Sequence, residues 1–337
     1  MKDLSPIKEL LASPKEIVIT MHASPDADAL GSSLGLYHFL KKKGHSVRVI
    51  APTEYPNFLS WMPGHDDVLV FDPKSPEMIS EYFSHAELVF CLDFSGLSRV
   101  REMEHVLDQS PAKKIIIDHH LNPEDFADFM IWDTKAAATA ELIYEMIVET
   151  DGRAVVTENI ASCLYAGIMT DTGSFKHSNT TPKVHRIVAD LIELGANNAH
   201  ISHAIYDTYS LNRLRFLGYA LNELLEVNEE MGVAYFAISS SDAMKYQLKK
   251  GDTEGLVNYA LSIDGIVAAA LFKEVDGEIK ISFRSFGDIE VNKFAENYFD
   301  GGGHKNAAGG HTFETLKNTV TTFEELISQN VLKTKLK

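Results

Sequence analysis

Lys113-Lys114-Ile115-Ile116-Ile117-Asp118-His119-His120 is the stretch that decides how this chain reads. A β-branched run too short for a helix ends abruptly in a carboxylate and two imidazoles, the pattern of a buried strand with chemistry at its C-terminal end. The arrangement recurs. Ile17-Val18-Ile19-Thr20-Met21 runs into His22-Ala23-Ser24-Pro25-Asp26-Ala27-Asp28, and Leu88-Val89-Phe90-Cys91-Leu92 runs into Asp93. A helical stretch ending Tyr165-Ala166-Gly167-Ile168-Met169-Thr170 runs into Asp171. Hard oxygen and imidazole donors thus sit repeatedly at the ends of apolar elements, where open α/β sheets hold their active sites.

Outward from these segments, strand-like runs at 16–22, 46–51, 67–71, 87–92, 114–118 and 128–132 alternate with helical patterns at 29–43, 75–84 and 97–108. In the first helix Leu30, Leu34, Tyr37 and Leu40 share a face and Gly44 marks the end. Such alternation predicts an α/β fold, a mostly parallel sheet with helices on both faces. Helical patterns then follow at 138–150, 158–170, 182–194 and 212–226. Beyond 227, strands at 232–239, 265–275 and 278–285, the last two joined at Asp276-Gly277, mix with helices at 242–249, 291–298 and 316–328. The expected division is a first domain over 1–190, a helical connector over 191–226 and a smaller α+β domain over 227–337.

The 337 residues are 45% hydrophobic and 23% charged, enough apolar material for a large core without disulfides. Cys91 and Cys163 form no CxxC pair and read as buried thiols in a reducing compartment, so the expected location is the cytoplasm. The N-terminus lacks the long apolar region of a signal peptide. No apolar run approaches the roughly 18 residues that suggest a membrane span. A net charge of −17 disfavours a groove for long nucleic acid, duplex or single-stranded. Small phosphorylated ligands stay compatible, because bound divalent cations reverse the field inside a cleft.

Each carboxylate has an ordinary reading as well. Asp26 or Asp28 suits a helix N-cap, Asp93 can cap a helix starting near Ser95, and Asp171 suits a cap or turn. Taken together those readings weaken. Asp26, Asp28, Asp93 and Asp171 bring four negative charges, and convergence without counter-charge would be severely destabilising. Two divalent cations supply the balance, with His22 and His119 as neutral nitrogen donors. Two-metal sites with ions about 3.5–4 Å apart and a bridging hydroxide nucleophile serve hydrolytic phosphoryl transfer. The absence of thiolate ligands suits Mn²⁺ or Mg²⁺, with Zn²⁺ and Fe²⁺ as alternatives.

At this point the chain resembles the DHH/DHHA1 phosphoesterase family over nearly its whole length. The motifs are His22-x-x-x-Asp26-x-Asp28-x-x-Gly31-Ser32, Asp93, Asp118-His119-His120 and Asp171, in that order. The resemblance implies that His22 and Asp26 hold one Mn²⁺, that Asp28, His119 and Asp171 hold another, and that Asp93 bridges them. It implies further that Asp118 orients His119 and that His120 stabilises or protonates the phosphate. Gly301-Gly302-Gly303-His304-Lys305-Asn306-Ala307-Ala308-Gly309-Gly310 reads either as a flexible glycine loop or as an anion nest before a helix. The family's GGGH signature there implies phosphate binding by Gly302, Gly303 and His304, with Arg284 as basic partner and Arg99 as a further contact. The active site is then expected in the cleft between the domains.

The compact two-domain form with GGGH is most similar to the nano-RNase and 3′-phosphoadenosine-5′-phosphate phosphatase branch. That implies hydrolysis of oligonucleotides of about two to five residues, or of that nucleotide to AMP, with short oligonucleotides or nucleotide bisphosphates as partners and a homodimer compatible. The alternatives are a manganese pyrophosphatase or exopolyphosphatase, a linear or cyclic dinucleotide phosphodiesterase, and a non-enzymatic nucleotide sensor.

Overall fold

In the computed structural model the apolar runs of the first half pair side by side. The structure describes residues 4–249, 251–329 and 332. Strands β1 (Glu16–Met21), β2 (Ser46–Ala51), β3 (Val68–Val70), β4 (Leu88–Leu92), β5 (Lys113–Asp118) and β6 (Phe129–Trp132) form one sheet in the order β3-β2-β1-β4-β5-β6. Every neighbouring pair is parallel. Around it lie helices α1 (Ser5–Leu10), α2 (Ala27–Lys42), α3 (Glu77–His85), α4 (Glu104–Asp108), α5 (Thr139–Asp151), α6 (Glu158–Asp171), α7 (Pro182–Glu193) and α8 (Asn198–Tyr206).

Alternate strand residues supply two cores. Ile17, Ile19, Val49, Phe90 and Ile117 pack with Leu34 of α2, Ile143 of α5 and Leu164 of α6. Val18, Ile50, Val89, Cys91 and Ile116 pack with Phe83 of α3 and Leu107 of α4. With both faces covered, the strands need continuous apolar sequence rather than alternation. The helix expected over 97–108 is instead a 3₁₀ stretch, Leu97–Met103, followed by α4, because Arg101 takes a positive φ of 51° and breaks the α ladder.

Contacts divide the chain into two units, Met1–Thr208 and Tyr209–Lys337. The expected connector, 191–226, holds the end of α7, all of α8, helix α9 (Leu211–Tyr219) and the start of strand β7 (Leu225–Asn228), with α8 in the first unit and α9 in the second. Residues 1–3 and 333–337 lie outside the described residues.

The second unit is a mixed sheet of β7, β8 (Val233–Ile238), β9 (Ala268–Val275), β10 (Glu278–Ser285), β11 (Gly302–His304) and β12 (Ala307–Thr312), in the order β11-β12-β10-β9-β8-β7. Only β8 and β9 pair in parallel. Asp276 and Gly277 both take positive φ, 51° and 84°, as the two-residue hairpin turn between β9 and β10 requires. Helices α10 (Ser240–Lys245) and α11 (Leu256–Leu261), with Phe216 of α9, flank one face. On the other, α12 (Val291–Tyr298) and α13 (Leu316–Ser328) cover a core built from Tyr235, Phe272, Phe283, Phe294, Phe299 and Phe323.

Two expectations are corrected here. The helix expected over 212–226 ends at Tyr219, passes through a π turn over 220–224 and becomes β7, because pairing of Leu225 and Val227 with β8 outweighs local helical preference. The glycine-rich run is neither a loop nor a nest before a helix. Gly302–His304 and Ala307–Thr312 form the hairpin β11–β12, and α12 precedes it.

Candidate metal centre

The sheet order reverses between β1 and β4, and the residues after these strands, His22 and Asp93, therefore face a common crevice. Next to them β5 ends on Asp118, with His119 and His120 following, and α6 ends on Asp171. The loops that deliver these groups hold several residues in the left-handed region: Ser24 (φ 56°), Asp93 (φ 63°), Asn122 (φ 57°), Ser174 (φ 59°) and Phe175 (φ 65°). Such conformations cost non-glycine residues free energy and concentrate at functional sites.

Asp26 is the N-cap of α2, with its second oxygen turned towards His22. Its Oδ1 caps α2, accepting from the amides of Asp28 and Ala29 at 3.0 Å each, while Oδ2 lies 3.9 Å from His22 Nε2. Asp93 is central. Its Oδ2 lies 3.4 Å from His22 Nε2, and its Oδ1 lies 3.5 Å from His119 Nε2 and 3.7 Å from His120 Nδ1. His119 Nε2 also lies 3.3 Å from Asp171 Oδ2 and 4.0 Å from Asp28 Oδ2. Two donor groups result, His22–Asp26–Asp93 and Asp28–His119–Asp171, and Asp93, Asp118 and His120 form a third beside them. His22, Asp28, Asp93, Asp118 and His119 are buried.

Hydrogen bonds fix the tautomers. His22 Nδ1 lies 2.9 Å from the Ala23 carbonyl and His119 Nδ1 lies 3.2 Å from the Ala136 carbonyl. A carbonyl only accepts, so each Nδ1 carries the hydrogen and each Nε2 turns its lone pair towards carboxylate oxygens. Lone pairs facing lone pairs call for a cation between them. Protons answer that call when no ion does. Burial opposes charge on His22, yet the hydrogen bond to Asp93 and the nearby Asp26 push it up to about 9. Burial likewise opposes charge on His119, but Asp171 and Asp93 raise it well above the usual range. Burial and the charges of Asp93 and Asp171 raise Asp28, whereas Asp93 is held well below the usual carboxylate range because His119 and His22 outweigh its burial. The donor set, carboxylate oxygens and imidazole nitrogens, fits hard divalent ions.

The N-terminus of α5 supports this cluster, and sequence reasoning missed it. The amides of Thr139 and Ala140 donate to Asp28 Oδ2 and Oδ1 at 2.6 and 3.0 Å, and Thr139 Oγ1 donates to Asp93 Oδ1 at 2.8 Å. Glu141 Oε2 accepts from the Ala137 amide at 2.7 Å, and Asn179 Nδ2 donates to the Ala137 carbonyl at 3.2 Å. In the sequence, Thr139 is one residue near the start of the helical pattern over 138–150, with nothing local that sets it apart.

Asp118 requires a correction. Its Oδ1 accepts from His120 Nδ1 at 2.7 Å, so Asp118 orients His120, while His119 is oriented by the Ala136 carbonyl. Residues two apart at a strand end share a side, which brings 118 and 120 together. Burial would raise Asp118, but the hydrogen bond and charge of His120 hold it below its usual range. Arg99 is exposed, and its positive charge is felt at His22.

In the second unit, Arg284 of β10 and His304 of β11 both stand opposite Ala307 of β12, on either side of it in one row. The glycines serve close strand approach: a Cβ on Gly301 would lie 2.0 Å from the Gly309 carbonyl oxygen, and Gly303 takes φ 141°.

Residues 16–168 match the family model described as "DHH family, N-terminal domain", and residues 230–330 match "DHHA1 domain". The bifunctional oligoribonuclease and PAP phosphatase NrnA of Bacillus subtilis is 29% identical, over 88% of this chain and 89% of its own. That of Thermus thermophilus is 31% identical, over 87% and 83%. The crystal structure of an exopolyphosphatase-related protein from Bacteroides fragilis is 37% identical, with a TM-score of 0.92 over 98% of this chain and 97% of that one. The crystal structure of exonuclease RecJ bound to manganese, 15% identical with a TM-score of 0.51 over 96% and 94%, shares the fold.

Proposed function

The chain belongs to the DHH family of phosphoesterases and carries its DHHA1 domain, and on that premise we propose that it hydrolyses short oligonucleotides to mononucleotides and 3′-phosphoadenosine-5′-phosphate to AMP. The observation that carries the reading is the convergence on Asp93, 3.4 Å from His22 and 3.5 Å from His119, in a chain matched along most of its length by enzymes named for those two activities. His22, Asp26 and Asp93 would hold one Mn²⁺, and Asp28, His119, Asp171 and Asp93 a second. Bound there, divalent ions supply Lewis acidity and a nucleophile that is active at neutral pH. His120, its Nδ1–H donated to Asp118, would turn Nε2 towards a phosphate or departing oxygen. Arg99 adds positive charge for the reacting phosphate, and Arg284, His304 and the Gly302–Gly303 backbone take a non-reacting one. Two buried free thiols support a reducing location, the cytoplasm. Among the described residues, no helix is long and apolar enough to cross a membrane.

A second reading, a pyrophosphate or polyphosphate hydrolase, draws on the description of the Bacteroides fragilis protein. One panel separates the two: purified chain with Mn²⁺ against pyrophosphate, polyphosphate, 3′-phosphoadenosine-5′-phosphate and 5′-pApA. The two nucleotides should be consumed, EDTA should stop the reaction, and Mn²⁺ should restore it. Turnover of the inorganic substrates alone would favour the second reading, and binding without turnover would favour a sensor.

A further inference from the structure

Arg284 and Phe286 leave β10 on the same side. Phe283 and Ser285, which alternate with them, are buried, and the Phe286 amide extends the ladder by donating to the Val267 carbonyl at 2.9 Å. The two side chains therefore sit about 6.6 Å apart along the strand, on the face opposite the aromatic core. Phe286 is 57% exposed.

A single exposed aromatic is ordinary on a protein surface. This one is distinguished by how firmly its neighbours are held. Asn306, in the turn between β11 and β12, directs Nδ2 to Ser285 Oγ (2.8 Å), the Gly287 carbonyl (3.2 Å) and the Ile289 carbonyl (3.1 Å), and its own carbonyl accepts from the Ser285 amide at 3.0 Å. Lys305 Nζ pairs with Asp288 Oδ1 at 2.8 Å. Gly287, at φ 62°, turns the chain directly after the ring. The residues on both sides of Phe286 are thus tied to the turn that follows His304, so the backbone segments that carry Arg284, Phe286 and His304 are held together within the second unit. A ring carried next to the row of Arg284 and His304, the residues proposed to take a phosphate, lies within the phosphate-to-base reach of a single nucleotide.

We propose that Phe286 is a base-stacking platform, and that the base of the nucleotide whose phosphate meets Arg284 and His304 lies on its ring. The ligand class is a nucleotide of any sequence, because every base offers a π face. Inorganic polyphosphate offers none. The inference rests on the nucleotide-phosphoesterase reading and deepens it by naming what selects nucleotides over phosphoanhydrides.

The test uses the full chain with Mn²⁺, 5′-pApA and a dinucleotide carrying stable abasic sites in place of both bases. Phe286→Ala and Phe286→Leu should raise KM for pApA roughly 5- to 150-fold with kcat unchanged. Phe286→Trp should restore the wild-type value, and all four proteins should treat the abasic substrate alike. An unchanged KM for pApA in the Ala variant, or an equal loss on the abasic dinucleotide, overturns the stacking role. A wild-type protein that hydrolyses neither dinucleotide fails at the earlier step, the function itself.

Discussion

A single hydrogen bond separates the roles of two adjacent histidines. Asp118 fixes the ring of His120 through Nδ1, so Asp118→Asn should keep the bound metal and lose about 10- to 100-fold in kcat, as removal of an orienting partner does. Turnover measured beside metal content by elemental analysis checks this; loss of metal in step with activity would place Asp118 among the ligands. His22 gives the pH dependence. Its pKa in the metal-free folded protein, about 9, exceeds the usual value near 6.5, so its stabilising contribution is complete below about 6.5 and is lost as pH rises through 9. Metal-free protein should therefore melt at progressively lower temperature between pH 6.5 and 9, and His22→Asn should flatten the trend. Mn²⁺ must displace that proton, so calorimetric titration near pH 7.5 should register proton release, which buffers of different ionisation enthalpy report.

At the scale of elements, the two helices that carry Asp28 and Asp171 cross where side chains are missing. A Cβ on Gly31 of α2 would lie 2.4 Å from the Cys163 carbonyl oxygen of α6. One on Gly167 of α6 would lie 2.6 Å from Asp28 Oδ1 and 2.9 Å from Ala140 Cβ. Gly31→Ala should cost about 1–3 kcal/mol by overpacking. Gly167→Ala should in addition weaken metal binding, since the added methyl group pushes on Asp28, a proposed ligand; thermal melts with and without Mn²⁺ separate the two effects. Equal losses with and without metal in both variants would show only a packing role. The strands β1, β4 and β5 were legible because an apolar run that stops at a carboxylate leaves little else to read. Thr139 was not, since its partners lie 46 and 111 positions away and nothing local signals them. The break at Arg101 hid behind Leu97, Val100 and Leu107, whose spacing continues a helical pattern through it. The hairpin β11–β12 escaped because seven of the ten residues over 301–310 are glycine or alanine, and a strand of small residues has no side-chain alternation to display.

At the scale of the whole molecule, the charge of −17 bears on substrate length. Beyond the few phosphates that the proposed site would take, an acidic surface repels the rest of a long strand. kcat/KM should therefore peak at about two to five nucleotides and fall steeply for a 20-mer, and the penalty should shrink as added salt screens the surface. A labelled RNA ladder at two ionic strengths checks both; a 20-mer cut as fast as a dimer would mark an enzyme that tracks along its substrate. The charge also frames the position of Asp93, an L-residue at φ 63° with other carboxylates close by. A library of this protein selected for heat resistance alone, without metal or substrate, would drift towards glycine or asparagine at that position. Heat resistance and turnover therefore pull residue 93 in opposite directions, and a thermostabilised lineage that kept Asp93 would carry the imprint of selection for catalysis.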